Sequence, residues 1–225
     1  RHSAKWPSTE IALTVEVEGF SEPVTPQALA TMLATLDDLV LVAPPGMGKT
    51  TTVFQIAEAL SATGKSPIVI PLADWSTEGT PLLQSVLKRP AFRDISEERF
   101  RSAATKPGVM LLLDGWNELD GPARKRLTAQ VRQLQAELPE VSLLISTRRQ
   151  ALDVPVDGAR VHLLPLSESQ QQDIAKVLRG EAGLRTMDQA WRTAGVRELV
   201  AIPLYLKALI TLPEGVPFPT TKEEV

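Results

Sequence analysis

The segment Ala43-Pro44-Pro45-Gly46-Met47-Gly48-Lys49-Thr50 constrains this chain more than any other, because of what stands on either side of it. Before it, Leu39 to Val42 is a continuous apolar run, as a strand buried on both faces requires. After it, Val53, Ile56, Ala57 and Leu60 recur at helical spacing, and Gly64 stands where such a helix should stop. Gly46 and Gly48 let the connecting backbone curl until consecutive N–H groups face one point. The helix opening near Lys49 adds its positive end at that point. This suits phosphate: the pattern is a Walker A loop with Ala43 in place of the first glycine, a change that is tolerable if the backbone there avoids positive φ. Lys49 is expected to reach the β- and γ-phosphates of a nucleoside triphosphate, and the Thr50 hydroxyl to coordinate Mg2+. Ala43, Pro44, Pro45, Gly46, Met47, Gly48, Lys49, Thr50 and Thr51 are the candidate nucleotide-binding residues.

Elsewhere, apolar runs of strand length alternate with helical patterns, which predicts βαβ units and an α/β fold with a five-stranded, mainly parallel sheet. The strands are read as Leu39–Ala43, Pro67–Leu72, Val109–Asp114, Val141–Thr147 and Arg160–Leu164, with Ile11–Glu18 as a candidate edge strand. Helices are expected over Thr80–Leu87 and Ser96–Ala104, and after Pro122 along the stripe Leu127, Val131, Leu134 and Leu138. From Ser167 the texture turns helical. Ser167 with Gln170 resembles a capping box, expected to open a helix through about Leu178, followed by Met187–Ala194 and Pro203–Thr211. The organisation expected is an N-terminal flank (1–38) with an edge strand and a helix, a P-loop domain (39–166) and a small helical subdomain (167–225).

Composition narrows the chemistry. Cysteine is absent, which removes disulfides, thiolate metal sites and thiol catalysis, and fits a reducing, cytoplasmic setting. Two histidines, His2 and His162, leave little for a histidine metal cluster. A net charge of −3 does not indicate nucleic acid as a partner, and no apolar run is long enough to span a bilayer. The chain opens on Arg1 and closes on Lys222-Glu223-Glu224-Val225, which reads as a piece of a longer protein.

The strand Val109–Asp114 ends in a carboxylate, the Walker B arrangement in which Asp114 supports the metal beside the phosphate loop. Glu118, four residues on, is the candidate general base for an attacking water. Strand Val141–Thr147 runs into Arg148 and Arg149; Arg148 is the favoured γ-phosphate sensor. Arg124, Lys125 and Arg126 fall near a helix N-terminus, where the dipole disfavours cations, and read as a solvated face. Trp75 and Trp116, near strand ends, read as packing residues.

Three of these segments resemble the NACHT family of signal-transducing STAND ATPases, within the wider AAA+ group: Ala43–Thr50, Leu111–Leu119 with its Asp-Gly-Trp-Asn-Glu, and Leu143–Arg148. Leu163–Ser167 and Ile202-Pro203-Leu204 add to the likeness, which runs from Leu39 to Leu212. The resemblance implies a switch operated by ATP/ADP or GTP/GDP with Mg2+, a homo-oligomer when activated, fused effector and sensor domains outside these residues, and a role in innate or anti-phage defence. It assigns hydrolysis to Glu118, sensing to Arg148 and packing near the nucleotide base to Pro203. Asn117 departs from the family pattern by replacing its second acidic residue. Two other classes stay open: an AAA+ motor acting on nucleic acid or protein, and a scaffold that binds nucleotide without hydrolysing it.

Overall fold

The computed structural model describes residues 11–32, 38–148, 153–213, 216–219 and 221. Its centre is a six-stranded sheet in the order β1-β6-β2-β5-β4-β3. The strands are β1 (Val15–Val17), β2 (Leu39–Val42), β3 (Ser66–Pro71), β4 (Val109–Asp114), β5 (Ser142–Thr147) and β6 (Ala159–Leu163). β2 to β6 are mutually parallel, and β1 joins β6 antiparallel. Every residue of β2 and β4 is buried, as their unbroken apolar sequences require of central strands. β3 carries Pro67 and Pro71 and alternates in burial, and it lies at the sheet edge, where the missing proline N–H groups cost least.

The five strands expected from sequence each fall within a residue of their observed bounds. The candidate edge strand Ile11–Glu18 shrinks to Val15–Val17, because Ile11 and Leu13 give their backbone groups to a side chain instead: Gln55 donates to the Ile11 carbonyl (2.9 Å) and accepts from the Leu13 N–H (3.2 Å). Leu72 leaves β3 and opens a helix that the sequence reading lacked, α3 (Leu72–Glu78), which buries Leu72 and Trp75.

Helices cover both faces. On one lie α1 (Pro26–Met32) and α2 (Lys49–Ala62); on the other lie α3, α4 (Leu82–Leu87), α5 (Glu97–Ala104) and α6 (Gly121–Glu137). α6 starts where Asp120 accepts from the Ala123 N–H (2.8 Å), with Pro122 in its first turn, and it buries Leu127, Val131 and Leu134. Arg124 and Arg126, read as solvated, lie over aromatic rings: Arg124 is 5.7 Å from the centroid of Trp116 and Arg126 is 4.4 Å from that of Trp75. Tertiary stacking of this kind overrides the unfavourable helix end.

The C-terminal part contains α7 (Glu168–Arg192), α8 (Val196–Leu199) and α9 (Pro203–Thr211). The Ser167–Gln170 capping box is present. α7 is interrupted at Arg179 and Gly180, whose φ of 57° and ψ of −141° suit glycine. Its second half therefore resumes well before Met187, the start expected from sequence. Arg179 turns at the break to donate to the carbonyls of Ile210 (3.3 Å) and Leu212 (3.0 Å), capping the C-terminus of α9. Ile174, Ala175, Met187, Val196, Leu206 and Ile210 share one apolar core with α2 and β2. No helix among the described residues is long and apolar enough to cross a membrane.

Candidate functional site

The parallel sheet sends the C-terminal ends of β2, β4 and β5 to one rim, and the register aligns their polar residues. β2 leads into Ala43, whose N–H continues the ladder to the Thr147 carbonyl (3.1 Å). The described residues with positive φ are all glycines, so Ala43 has no backbone strain there. Gly46 and Gly48 stand at φ 79° and 87°, Gly48 caps the N-terminus of α2, and Lys49 and Thr50 are its first two residues. Thr51 follows in the same turn.

Asp114, at the end of β4, pairs directly with Ser146 of β5 in the sheet register. This places four polar side chains together. Lys49 Nζ donates to Asp114 Oδ1 (3.0 Å) and to Ser146 Oγ (3.2 Å), and Thr50 Oγ1 donates to Asp114 Oδ2 (2.6 Å). The Ser146 hydroxyl donates to Asp114 Oδ1 and accepts from the Gly115 N–H at 2.9 Å. Lys49 and Asp114 are largely buried, so their charges attract through a medium less screening than water.

Glu118 joins from the other side of the turn. Gly115 stands at φ 100°, and a Cβ added there would lie 2.9 Å from Glu118 Oε2. The turn thus brings the carboxylate back over Gly115, with Oε1 4.0 Å from Lys49 Nζ. Glu118 remains half exposed. Between Asp114 and Glu118, Trp116 is fully buried and donates its indole N–H to Asp153 (3.3 Å). The Asn117 side-chain oxygen is buried without a hydrogen-bond partner among the described residues.

Pro203 is buried at the start of α9, and its ring approaches the position a Cβ on Gly48 would take, at 4.0 Å. The next residue, Leu204, donates its N–H to the Gly46 carbonyl at 3.1 Å. From the N-terminal side, Leu13 also packs against Gly48. The segment carrying Leu13 is held from two elements, by Gln55 of α2 and by Gln170, which donates to the Ala12 carbonyl at 2.7 Å.

Sequence reasoning thus named Lys49, Thr50, Asp114 and Glu118, which the fold brings together. Arg148 is exposed, two residues past Ser146 and outside this hydrogen-bonded cluster; Arg149 lies outside the described residues. Ser146 was missed as a site residue. Its signal was a serine directly after the apolar run Leu143 to Ile145 of β5, and only the register with Asp114 gives that serine meaning.

The residues fit a magnesium nucleotide. Mg2+ takes hard oxygen ligands and is usually held by one or two carboxylates plus substrate phosphates, a role open to Asp114 with the Thr50 hydroxyl. Lys49 and the N–H groups at the start of α2 would meet the phosphates.

No protein-family model and no curated protein sequence matches the chain. Solved structures do. One is a DNA replication initiation factor, 20% identical, with a TM-score of 0.50, covering 76% of this chain and 56% of that one. Another is the replication initiator DnaA bound to AMPPCP and single-stranded DNA, also 20% identical with a TM-score of 0.50, covering 82% and 58%. A looser likeness, with a TM-score of 0.44 and 19% identity, is to the Holliday junction branch migration motor RuvB of Thermotoga maritima, covering 80% and 58%. The chain therefore spans less than two thirds of the length of these structures. The likeness is one of fold: an α/β sheet flanked by helices, followed by a helical C-terminal part.

Proposed function

We propose that this chain binds ATP or ADP with Mg2+ at the rim formed by β2, β4 and β5, and that the bound nucleotide sets the state of a signalling switch. The observation that carries the binding is the convergence of Lys49, Thr50 and Asp114 beneath the glycine loop, with Glu118 4.0 Å from the lysine. In this reading Lys49 and the loop residues Ala43 to Thr51 hold phosphate, while Thr50 and Asp114 hold the metal. Glu118 accepts a proton from the attacking water, and hydrolysis is slow because Asn117 leaves one carboxylate fewer near the metal.

The switch part rests on the contact between α9 and the loop. Leu204, in the helical C-terminal part, bonds directly to Gly46, and the Pro203 ring lies 4.0 Å from where a Cβ on Gly48 would stand, so loop geometry and helix placement are linked. Activation through homo-oligomerisation and a fused effector, and a role in defence, extend this proposal by the NACHT resemblance of the Asp-Gly-Trp-Asn-Glu segment. Arg148 would report the γ-phosphate once nucleotide is present.

The test is to release and identify any copurified nucleotide, then to titrate ATP, ADP, GTP and GDP with Mg2+ against the chain and a Lys49→Ala variant. Adenine nucleotides should bind, and the variant should lose about tenfold to a hundredfold in affinity, the range for removing a hydrogen bond to a charged group. No binding by a folded wild-type chain would refute the proposal. Because the fold neighbours include a replication initiator bound to single-stranded DNA, turnover should also be followed with that polymer. Strong stimulation would replace the switch with a motor, and binding without any turnover would leave a scaffold.

A further inference from the structure

The hydroxyl of Ser146 has no spare capacity. It can donate once and accept twice, and it donates to Asp114 Oδ1 while accepting from the Gly115 N–H (2.9 Å) and from Lys49 Nζ (3.2 Å). It is fully buried, on a strand whose preceding residues Leu143, Leu144 and Ile145 are apolar and equally buried. A hydroxyl placed there without partners would cost free energy, so the site that satisfies it also explains it.

The two oxygens of the Asp114 carboxylate have different partners. Oδ1 receives the serine hydroxyl and the lysine ammonium, whereas Oδ2, among the described residues, receives only Thr50. The Gly115 bond ties the same hydroxyl to the backbone of the turn that carries Glu118. From this geometry we infer that Ser146 is a positioning residue for the metal. It holds Oδ1 and fixes the carboxylate plane so that Oδ2, beside the Thr50 hydroxyl, is the oxygen presented to Mg2+. This inference rests on the nucleotide reading above. Partners that orient a metal ligand without touching the metal commonly change metal affinity by about 10- to 100-fold when removed.

The experiment measures nucleotide affinity in EDTA and in saturating Mg2+, so that the ratio isolates the metal contribution. In Ser146→Ala the ratio of ATP affinity in saturating Mg2+ to ATP affinity in EDTA should fall by about tenfold. Ser146→Thr, which keeps the hydroxyl, should restore the enhancement. Thermal melts of each variant establish that it is folded. If Ser146→Ala does not fold, Ser146→Cys, with its weak S–H donor, takes its place and should show an enhancement below that of the wild type and Ser146→Thr. An unchanged ratio in a folded Ala or Cys variant overturns the role of Ser146 and leaves nucleotide binding intact. A wild type that binds no nucleotide overturns both.

Discussion

The N–H of Leu204 donates to the carbonyl of Gly46 at 3.1 Å, joining the first turn of α9 to the middle of the glycine loop. Nearly 160 residues of chain separate the two groups. Ile202 and the Leu204 side chain close over the same glycine, where an added Cβ would meet them at 3.1–3.3 Å. A loop that rearranges around phosphate cannot do so without altering this bond. The Leu204 amide should therefore be protected from hydrogen exchange in the nucleotide-free chain, and its protection should change when Mg-ADP is added. Unaltered exchange at Leu204 in a nucleotide-bound sample would dissociate the helical part from the loop.

Glu118→Gln should separate binding from chemistry. The amide keeps the size of the side chain but cannot take up a proton, so turnover should fall by about 10²- to 10⁴-fold, the usual contribution of a general base. Nucleotide affinity should change little, because Glu118 sits 4.0 Å from Lys49 and is half exposed. Single-turnover kinetics beside equilibrium binding would show it. Equal losses in both would make Glu118 a binding residue.

Gly180→Ala should weaken the fold without touching the site. At φ 57° and ψ −141°, an alanine is strained by about 1–3 kcal/mol. The urea midpoint should drop accordingly with the slope unchanged. A midpoint equal to that of the wild type would mean that α7 straightens through the break at no cost.

Glu137 offers a pH test on the opposite face. The side-chain amide of Gln133 and then the guanidinium of Arg101, at 2.6 Å, hold its carboxyl below the ordinary glutamate range. A depressed folded-state value means that its stabilising effect is present above the ordinary glutamate pKa and is lost as pH falls through the depressed one. The residue is exposed, so the effect on stability is small. An NMR titration should find Glu137 ionised lower than a free glutamate, with Gln133→Ala returning it further toward the ordinary range than Arg101→Gln does.

What the sequence made legible was local. β2, the glycine loop and α2 are contiguous, so spacing alone identifies them, and β4 announces itself by five apolar residues and a terminal carboxylate. What it hid was brought about by distance along the chain. Ser146 becomes a site residue only through its register with Asp114, 32 residues away, and Arg126 finds Trp75 across 51 residues. Ile11–Glu18 has the alternation of a strand, yet Gln55 and Gln170 take the backbone groups a longer strand would have paired. The run through Leu72 reads as continuous strand because nothing local says that its last leucine packs better on a helix.

The prolines of β3 have a consequence for self-association. An exposed parallel edge is a template for another chain's backbone, and this one lacks the N–H groups of residues 67 and 71. Strand addition along it would leave incoming carbonyls without donors. A filament grown by extending the sheet from β3 is thereby disfavoured, and strand addition is left to the short β1 at the opposite edge.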